Sequence, residues 1–587
     1  MSKISNPVIY EIDYSYEAVE SLEGGILQEE GSNAKYLLDY PTVYIVHDEK
    51  KNREFSVYIG ETSDIRQRTK QHLIEDPKKR EDWESLANSD DSKMYIIGHD
   101  YFNKSLTLDI ENKLMMYMSS IDSVQSVYNR RTNQQKEYYT VDKLDEIFSK
   151  IWRKLRNKNK TLFPVEKIIK DSALFKASPF HKLSDEQIQA KDKVILKIME
   201  ALTRNQSGEL ILVAGEAGSG KTVLMSSLFY ELKQLAQEES ENIVLQEANS
   251  YLLVNHEQQL KVYQQIANKL GITSKKVPNL VSKPTTFINN HTPEEKADVV
   301  IVDEAHLLWT QGKQSYRGKN QLYDLMERAK VVVAVFDINQ VLTTEQYWEE
   351  EELLTLEHEA NLKGNFIRLE NQMRINASQS TINWIRSMID DRKINPILKD
   401  IKGYDLKIFN HPEELYQAIR EKAKDENSGI SRITATFDWE YVDKRKPEKD
   451  DYWRVKIGNW SLPWNLQLPQ MKEQKRKNRN LSWAEQEQTI DEVGSTFTIQ
   501  GFDLNYAGVI IGPSVKYRNG EIVFDRSSSQ NKKATRQRTL KNGKKEQFSD
   551  MLLKNELNVL LTRGVNGLYI YAVDEELQKA LLNAAKG

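Results

Sequence analysis

Short apolar runs separated by amphipathic stretches recur along this chain, the rhythm of alternating strands and helices. In the first 145 residues, Val43-Tyr44-Ile45-Val46 and Phe55-Ser56-Val57-Tyr58-Ile59 flank a polar turn, Asp48 to Arg53, and predict a β-hairpin. A helix is expected from Asp64 to Leu73, a strand over Met94 to Ile97 and a further helix from Thr107 to Met118. Residues 146–172 are basic and helical in character, reach Phe163-Pro164, and are read as a linker.

A longer block begins near Ser172. Its buried strands are expected at Leu210–Ala214, Ile243–Leu245, Val299–Val302, Val331–Phe336 and Phe366–Leu369, with helical patterns between them. That order predicts a parallel, doubly wound sheet. A second set follows at Ile430–Phe437, Tyr506–Ile511 and Gly567–Ala572. The charged, weakly periodic stretch between Asp438 and Gln488 is read as an insertion. Its tryptophans (Trp439, Trp453, Trp460, Trp464, Trp483) would either stack on bases or fill the core of the second lobe. The expected fold class is therefore α/β: a small domain over 1–145, the linker, one lobe over 173–345, and a second lobe over 346–587 with an insertion at about 438–490.

Composition adds bounds. With 587 residues, two to four domains are expected. The absence of cysteine excludes disulfides and Cys-based zinc sites. No apolar run is long enough for a membrane span and the N-terminus has no signal-peptide core, so a cytoplasmic protein is expected. The net charge of −4 gives no global pull toward nucleic acid, but basic runs occur at Arg153–Lys160, Lys472–Arg479 and Lys532–Lys545. Each by itself reads as a solvated loop.

The chemistry is concentrated in two places. Gly215-Glu216-Ala217-Gly218-Ser219-Gly220-Lys221-Thr222 directly follows the run Leu210–Val213. Glycines there let backbone N–H groups turn in around phosphates, Lys221 can reach the β- and γ-phosphates of ATP, and the Thr222 hydroxyl can ligate Mg²⁺. Val299–Val302 ends in Asp303-Glu304, which would complete the Mg²⁺ shell and polarise the attacking water.

From Ser172 onward the chain resembles superfamily 1 helicases with two RecA-like lobes, in particular the bacterial ATPases that share a helicase core with Schlafen proteins. The resemblance implies that Gln187, in Ser184-Asp185-Glu186-Gln187, reads adenine. It implies that Gln340, in Phe336-Asp337-Ile338-Asn339-Gln340, senses the γ-phosphate. In Leu369-Glu370-Asn371-Gln372-Met373-Arg374, Arg374 would contact phosphate; in Val559-Leu560-Leu561-Thr562-Arg563, Arg563 would be the arginine finger. Ser495 to Asp503 matches motif V through Gln500-Gly501, with Phe497 where the family commonly carries His. Strand translocation, remodelling and nucleic-acid-gated hydrolysis all fit this pattern.

The second place is N-terminal. Thr42-Val43-Tyr44 and Tyr58-Ile59-Gly60 stand on the hairpin strands, Arg68 and His72 are four apart on one helix face, and Glu111 and Asn129 follow. Phosphodiester cleavage needs a nucleophile, a charge-bearing metal and a cation on the phosphate. This set resembles the GIY-YIG nuclease domain, with Thr42 replacing its first glycine. The resemblance implies that Glu111 holds one Mg²⁺ or Mn²⁺ and that Tyr44 acts as or through the general base. It also implies that Arg68 clamps the phosphate, with Tyr58 and His72 assisting. Asn133 is a rival to Asn129.

The function expected is an ATP-dependent nucleic-acid motor coupled to a metal-dependent endonuclease, with antiphage defence or repair suggested by analogy. The alternative is a regulatory or nucleotide-sensing ATPase whose N-terminal domain only binds nucleic acid or a partner. Expected partners are nucleic acid, DNA ahead of RNA, and a further protein or a second copy, without a membrane.

Overall fold

In a computed structural model of the chain, the described residues are 4–586 apart from 51–52, 130–137, 216–217, 238–239, 241, 274–278, 313–315, 371, 373, 426–428 and 480. They divide into two units, Met1–Leu183 with Val262–Pro278, and Ser184–Lys261 with Asn279–Gly587.

The first unit is built on a sheet of β1 (Val8–Asp13), β2 (Thr42–Lys50), β3 (Glu54–Thr62), β4 (Ser92–Gly98) and β5 (Val124–Val127), in the order β1-β4-β2-β3-β5. The β2–β3 hairpin is antiparallel and sets Tyr44 opposite Gly60. β5 joins parallel to β3. The helix Ile65–Ile74 starts where Asp64 accepts the Arg66 and Gln67 N–H groups. The helix Lys104–Ser119 starts where Asn103 accepts the Leu106 N–H. Such caps satisfy donors that the first turn leaves without partners. Val46, Ile96, Ile26, Leu37 and Trp83 fill a core on one face of the sheet.

The second unit carries two parallel sheets, consistent with RecA-like lobes. The first sheet comprises β6 (Glu209–Gly215), β7 (Ser250–Val254), β8 (Val281–Ser282), β9 (Ala297–Asp303), β10 (Ala329–Phe336) and β11 (Phe366–Leu369), ordered β11-β6-β10-β9-β7-β8. Val331 to Val335 on β10 are wholly buried, as expected of a central parallel strand covered on both faces. The remaining strands are β12 (Asp405–Ile408), β13 (Arg432–Ala435), β14 (Arg454–Ile457), β15 (Trp460–Pro463), β16 (Val493–Gly494), β17 (Leu504–Ile511), β18 (Val515–Arg518), β19 (Glu521–Phe524), β20 (Arg538–Thr539), β21 (Lys545–Glu546) and β22 (Gly564–Ala572). The second sheet takes the order β12-β22-β17-β13-β16, and β14–β15, β18–β19 and β20–β21 are separate two-stranded hairpins.

Three expectations are corrected. Residues 146–172 are not a linker. The helix Leu144–Lys158 buries Ile147, Phe148, Ile151, Trp152 and Leu155, with Trp152 packed on Tyr117 and Phe163, because one apolar stripe runs its full length. Ile243–Leu245 is a turn with Ile243 85% exposed, and the strand lies instead at β7. Three apolar residues are too few to fix a period. The first lobe does not end at 345, since β11 pairs with β6 in its sheet. Of the two roles weighed for the insertion tryptophans, core filling is the one observed: Trp464 and Trp483 are wholly buried, and Trp439, Trp453 and Trp460 pack against the same core as Trp464.

One burial has a pH signature. The Glu556 carboxylate, on the helix Ser549–Leu561, accepts the Phe437 N–H and an Asn531 amide N–H at 3.1 Å, and is 1% exposed. Burial, with the nearby Asp438 charge, pushes it up from 4.5 to about 7. The folded state therefore keeps a proton that the unfolded state releases. Stability should fall as pH rises from about 4.5 to 7, by up to roughly 3 kcal/mol. Glu556→Gln should flatten the melting-temperature profile between those values, and parallel profiles for variant and wild type would contradict the assignment.

Candidate functional site

β6 ends at Gly215, and the phosphate-loop motif turns from it into the helix Lys221–Leu235. Glu216 and Ala217 lie outside the described residues. Gly218 and Gly220 take left-handed backbone angles, φ +92° and +74°. A Cβ on Gly218 would stand 2.6 Å from Arg374 Cβ, and one on Gly220 would stand 2.2 Å from Gln187 Nε2, so both positions require glycine. The Gln187 amide donates to the carbonyls of Ser219 and Gly220 at 3.3 and 3.4 Å, while its oxygen accepts the Ser184 N–H at 3.0 Å.

Lys221 is 6% exposed. Its ammonium donates to Gly215 O at 2.7 Å and lies 3.3 Å from Asp337 Oδ2, just past the end of β10. Burial raises the Asp337 carboxyl, but Lys221, His306 and the Gln340 amide outweigh it and hold it below the usual carboxylate range. Gln340 Nε2 donates to the same Oδ2 at 2.7 Å, and Gln340 Oε1 accepts from Arg563 Nη2 at 2.8 Å. Arg563 reaches the lobe 1 groups from the end of a lobe 2 helix and is 1% exposed. Burial and the Arg374 charge push its guanidinium down to about 9, against Asp503, Glu304 and Asp337, so it is protonated at neutral pH. Gln500 Nε2 adds a bond to Gln340 O at 3.1 Å, and Arg374 Nε stands 2.5 Å from Asp503 Oδ1. Asn371 and Met373, beside Arg374, lie outside the described residues.

Thr222 and Asp303 are gathered by one side chain: Gln259 Nε2 donates to Asp303 Oδ2 at 2.8 Å and to Thr222 Oγ1 at 3.4 Å. A hydroxyl and a carboxylate on a shared amide are oxygen donors suited to Mg²⁺, so the residues fit that ion. Asp303 Oδ1 accepts the Glu304 N–H at 3.0 Å. Glu304 is held at φ +52°, a strained angle for a residue with a side chain, and its Oε2 lies 3.2 Å from His306 Nε2. Burial keeps His306 below its ordinary pKa.

In the first unit, Tyr44 O–H meets His72 Nε2 at 2.7 Å, and His72 Nδ1 is hydrogen-bonded to the Asp76 carboxylate. Burial, then the Arg68 charge, lowers the His72 pKa against the pull of Asp76. A neutral ring with Nδ1–H on a carboxylate leaves the Nε2 lone pair to accept the Tyr44 proton. Trp83 stacks on His72 with centroids 3.8 Å apart, and Tyr58 lies 4.2 Å from Trp83. The Arg68 guanidinium interacts with the Tyr44 hydroxyl, which burial raises well above its ordinary pKa, and donates to Gln71 Oε1 at 2.9 Å. Gly60 makes room for the Tyr44 ring, since a Cβ there would stand 2.4 Å from it. Asn129 Nδ2 donates to Glu111 Oε1 and to Ile59 O, both at 2.6 Å. The rival Asn133 lies outside the described residues. Among the described residues no three His, Asp or Glu cluster as a metal-binding group.

All the anticipated residues that are described thus fall into two clusters. Asp337, Gln500 and Asp503 stood in the quoted motifs without an assigned role, and sequence reasoning missed Gln259 and His306 in the second unit, and Asp76 and Trp83 in the first. Asp76 carried a signal, standing four residues after His72. Gln259 carried none.

Residues 208–574 match the family described as Schlafen group 3, DNA/RNA helicase domain. An uncharacterized protein of Saccharomyces cerevisiae is 36% identical over 440 residues, which cover 69% of this chain and 91% of that protein. That relative is a yeast protein rather than a bacterial one, and residues before 208 lie outside the family match. No helix among the described residues is long and apolar enough to cross a membrane.

Proposed function

The chain belongs to the Schlafen group 3 DNA/RNA helicase family, and on that premise we propose that it is an ATP-hydrolysing nucleic-acid motor whose first unit is a GIY-YIG-type phosphodiesterase. The observation that carries the motor reading is the buried series Lys221–Asp337–Gln340–Arg563, which runs from the phosphate loop of one lobe to the arginine of the other. Phosphoryl transfer is accelerated mainly by positioning and by cations on the developing charge. An arriving γ-phosphate competes with Asp337 for Lys221, and the freed carboxylate then alters the hold of Gln340 on Arg563. Thr222 and Asp303 would hold Mg²⁺, which when bound neutralises charge on the β- and γ-oxygens. Glu304 orients and polarises the attacking water, Gln187 reads the adenine, and Arg374 contacts phosphate. The strand bound is DNA ahead of RNA.

The nuclease reading rests on the Tyr44–His72–Asp76 relay. Asp76 fixes the His72 tautomer, and His72 takes the Tyr44 proton as Tyr44 activates water. Arg68 holds the scissile phosphate, with Tyr58 packing the site. Glu111, steadied by Asn129, would hold a Mg²⁺ or Mn²⁺, which when bound would supply positive charge at the phosphate. A second reading has a specific observation behind it: Tyr44 and His72 are each 1% exposed and Glu111 is 7%. Closure of that degree suits a unit that binds nucleic acid or a partner without cutting.

Two experiments test these readings. ATP hydrolysis should rise on adding single-stranded DNA or RNA, and Lys221→Ala or Arg563→Ala should lower it by about 10²–10³-fold. Hydrolysis indifferent to both strands, or intact in Arg563→Ala, would contradict the motor. Plasmid and single-strand cleavage with Mg²⁺ should be lost in Arg68→Ala, His72→Ala and Glu111→Ala. Because His72 is held below 6.5, the rate should stay level as pH falls past that value and drop only in more acid solution. No cleavage by wild type of any nucleic acid would replace the nuclease with the binding unit.

A further inference from the structure

Gln259 stands in the first turn of the helix Glu257–Lys269 and is 3% exposed. Its Nε2 donates to Asp303 Oδ2 at 2.8 Å and to Thr222 Oγ1 at 3.4 Å. Its Oε1 is buried and makes no hydrogen bond among the described residues. An ionised carboxylate only accepts, so the nitrogen must be the end on Asp303 and the oxygen the end left over. A buried acceptor without a donor is destabilising, so this pose of the side chain is held by its nitrogen alone.

The place of that nitrogen is informative. Asp303 and Thr222 are the oxygens that fit Mg²⁺, and Asp303 Oδ1 already accepts the Glu304 N–H at 3.0 Å. Mg²⁺ takes lone pairs at about 2.1 Å in a near-octahedral array. The Gln259 N–H groups aim positive hydrogens at lone pairs of the same two oxygens, so donor and cation compete for them. The unpaired oxygen faces Gly501 of the second lobe, where a Cβ would stand 3.0 Å from it. The residues beside Gln259 also meet that lobe: Gln258 Oε1 accepts the Trp483 N–H at 3.4 Å, and the His256 and Phe502 rings lie 6.1 Å apart.

We propose that Gln259 is a placeholder for the cation: its amide engages the Asp303–Thr222 oxygen pair until magnesium nucleotide arrives, and then gives the pair up. The proposal rests on the nucleotide-binding reading and deepens it, because it assigns control of metal entry to a residue outside the motifs read from the sequence. Gln259 is a positioning residue, acting through Asp303 and Thr222 rather than on the phosphate. Once the nitrogen is released, the amide is free to turn and satisfy its oxygen. Gly501 leaves the clearance for that turn on the side of the second lobe, where a larger residue would crowd it.

The test is a titration of Mg²⁺ into the full chain with fluorescent mant-ADP, read by anisotropy as the magnesium concentration that gives half of the gain in binding. Gln259→Leu offers the oxygen pair no donor, so that concentration should fall about tenfold, the scale of one hydrogen bond to a charged group given up. General damage to the site would move it the other way. Gln259→Asn keeps the amide but withdraws it by one methylene; it should shift the half-point in the same direction, and it decides the matter if the leucine variant does not fold. A half-point unchanged in the folded variants would overturn the placeholder. A raised half-point would overturn it too, and would make Gln259 a support that the ion needs. Wild type that binds mant-ADP neither with nor without Mg²⁺ would overturn the nucleotide-binding reading as well.

Discussion

The buried pair Lys221–Asp337 is the constraint on which the nucleotide site depends. Taking two charges out of water costs several kcal/mol each unless they are paired and further hydrogen-bonded. Lys221 and Asp337 are 6% and 5% exposed, and each has an additional partner, Gly215 O for the ammonium and the Gln340 amide for the carboxylate. Gln340 then has one oxygen left, and it is used on Arg563. A neutral amide thus joins an ion pair in one lobe to a guanidinium in the other. Because the amide carries no charge, it leaves the charge of Arg563 unneutralised. The same position is reinforced by Gln500 on the Gln340 carbonyl and by Arg374 beside Asp503.

The first unit applies the same device to a different end. Asp76, His72 and Tyr44 form a line in which each group fixes the proton position of the next. Trp83 closes over the imidazole and removes water from it. Desolvation keeps the ring neutral, and a neutral ring is the one able to take a phenolic proton. Gly60 and Tyr44, cross-strand partners, show why the hairpin register matters: any side chain at 60 would displace the ring that begins the relay.

Much of this was legible in the sequence because the informative residues sit at strand ends, where an apolar run stops and a carboxylate, amide or glycine follows. Leu210–Val213 before Gly215, Val299–Val302 before Asp303, and Val331–Phe336 before Asp337 are local patterns, and each strand lies where its pattern puts it. What the sequence hid is tertiary. Gln259 reaches Thr222 and Asp303 from another helix, and no local spacing predicts that meeting. The strand expected at Ile243–Leu245 failed because three apolar residues in a turn look like the core of a strand. The linker failed because basic residues on one face of Leu144–Lys158 masked the apolar stripe on the other.

The most direct test of the inter-lobe series is a double-mutant cycle on Gln340 and Arg563, read as the rate of ATP hydrolysis under single-strand saturation. If the two act as one unit, Gln340→Ala and Arg563→Ala will each cost nearly what the double variant costs, with a coupling energy of about 1–3 kcal/mol. Losses that simply add would mean that Gln340 and Arg563 act independently and that the buried series does not link the lobes.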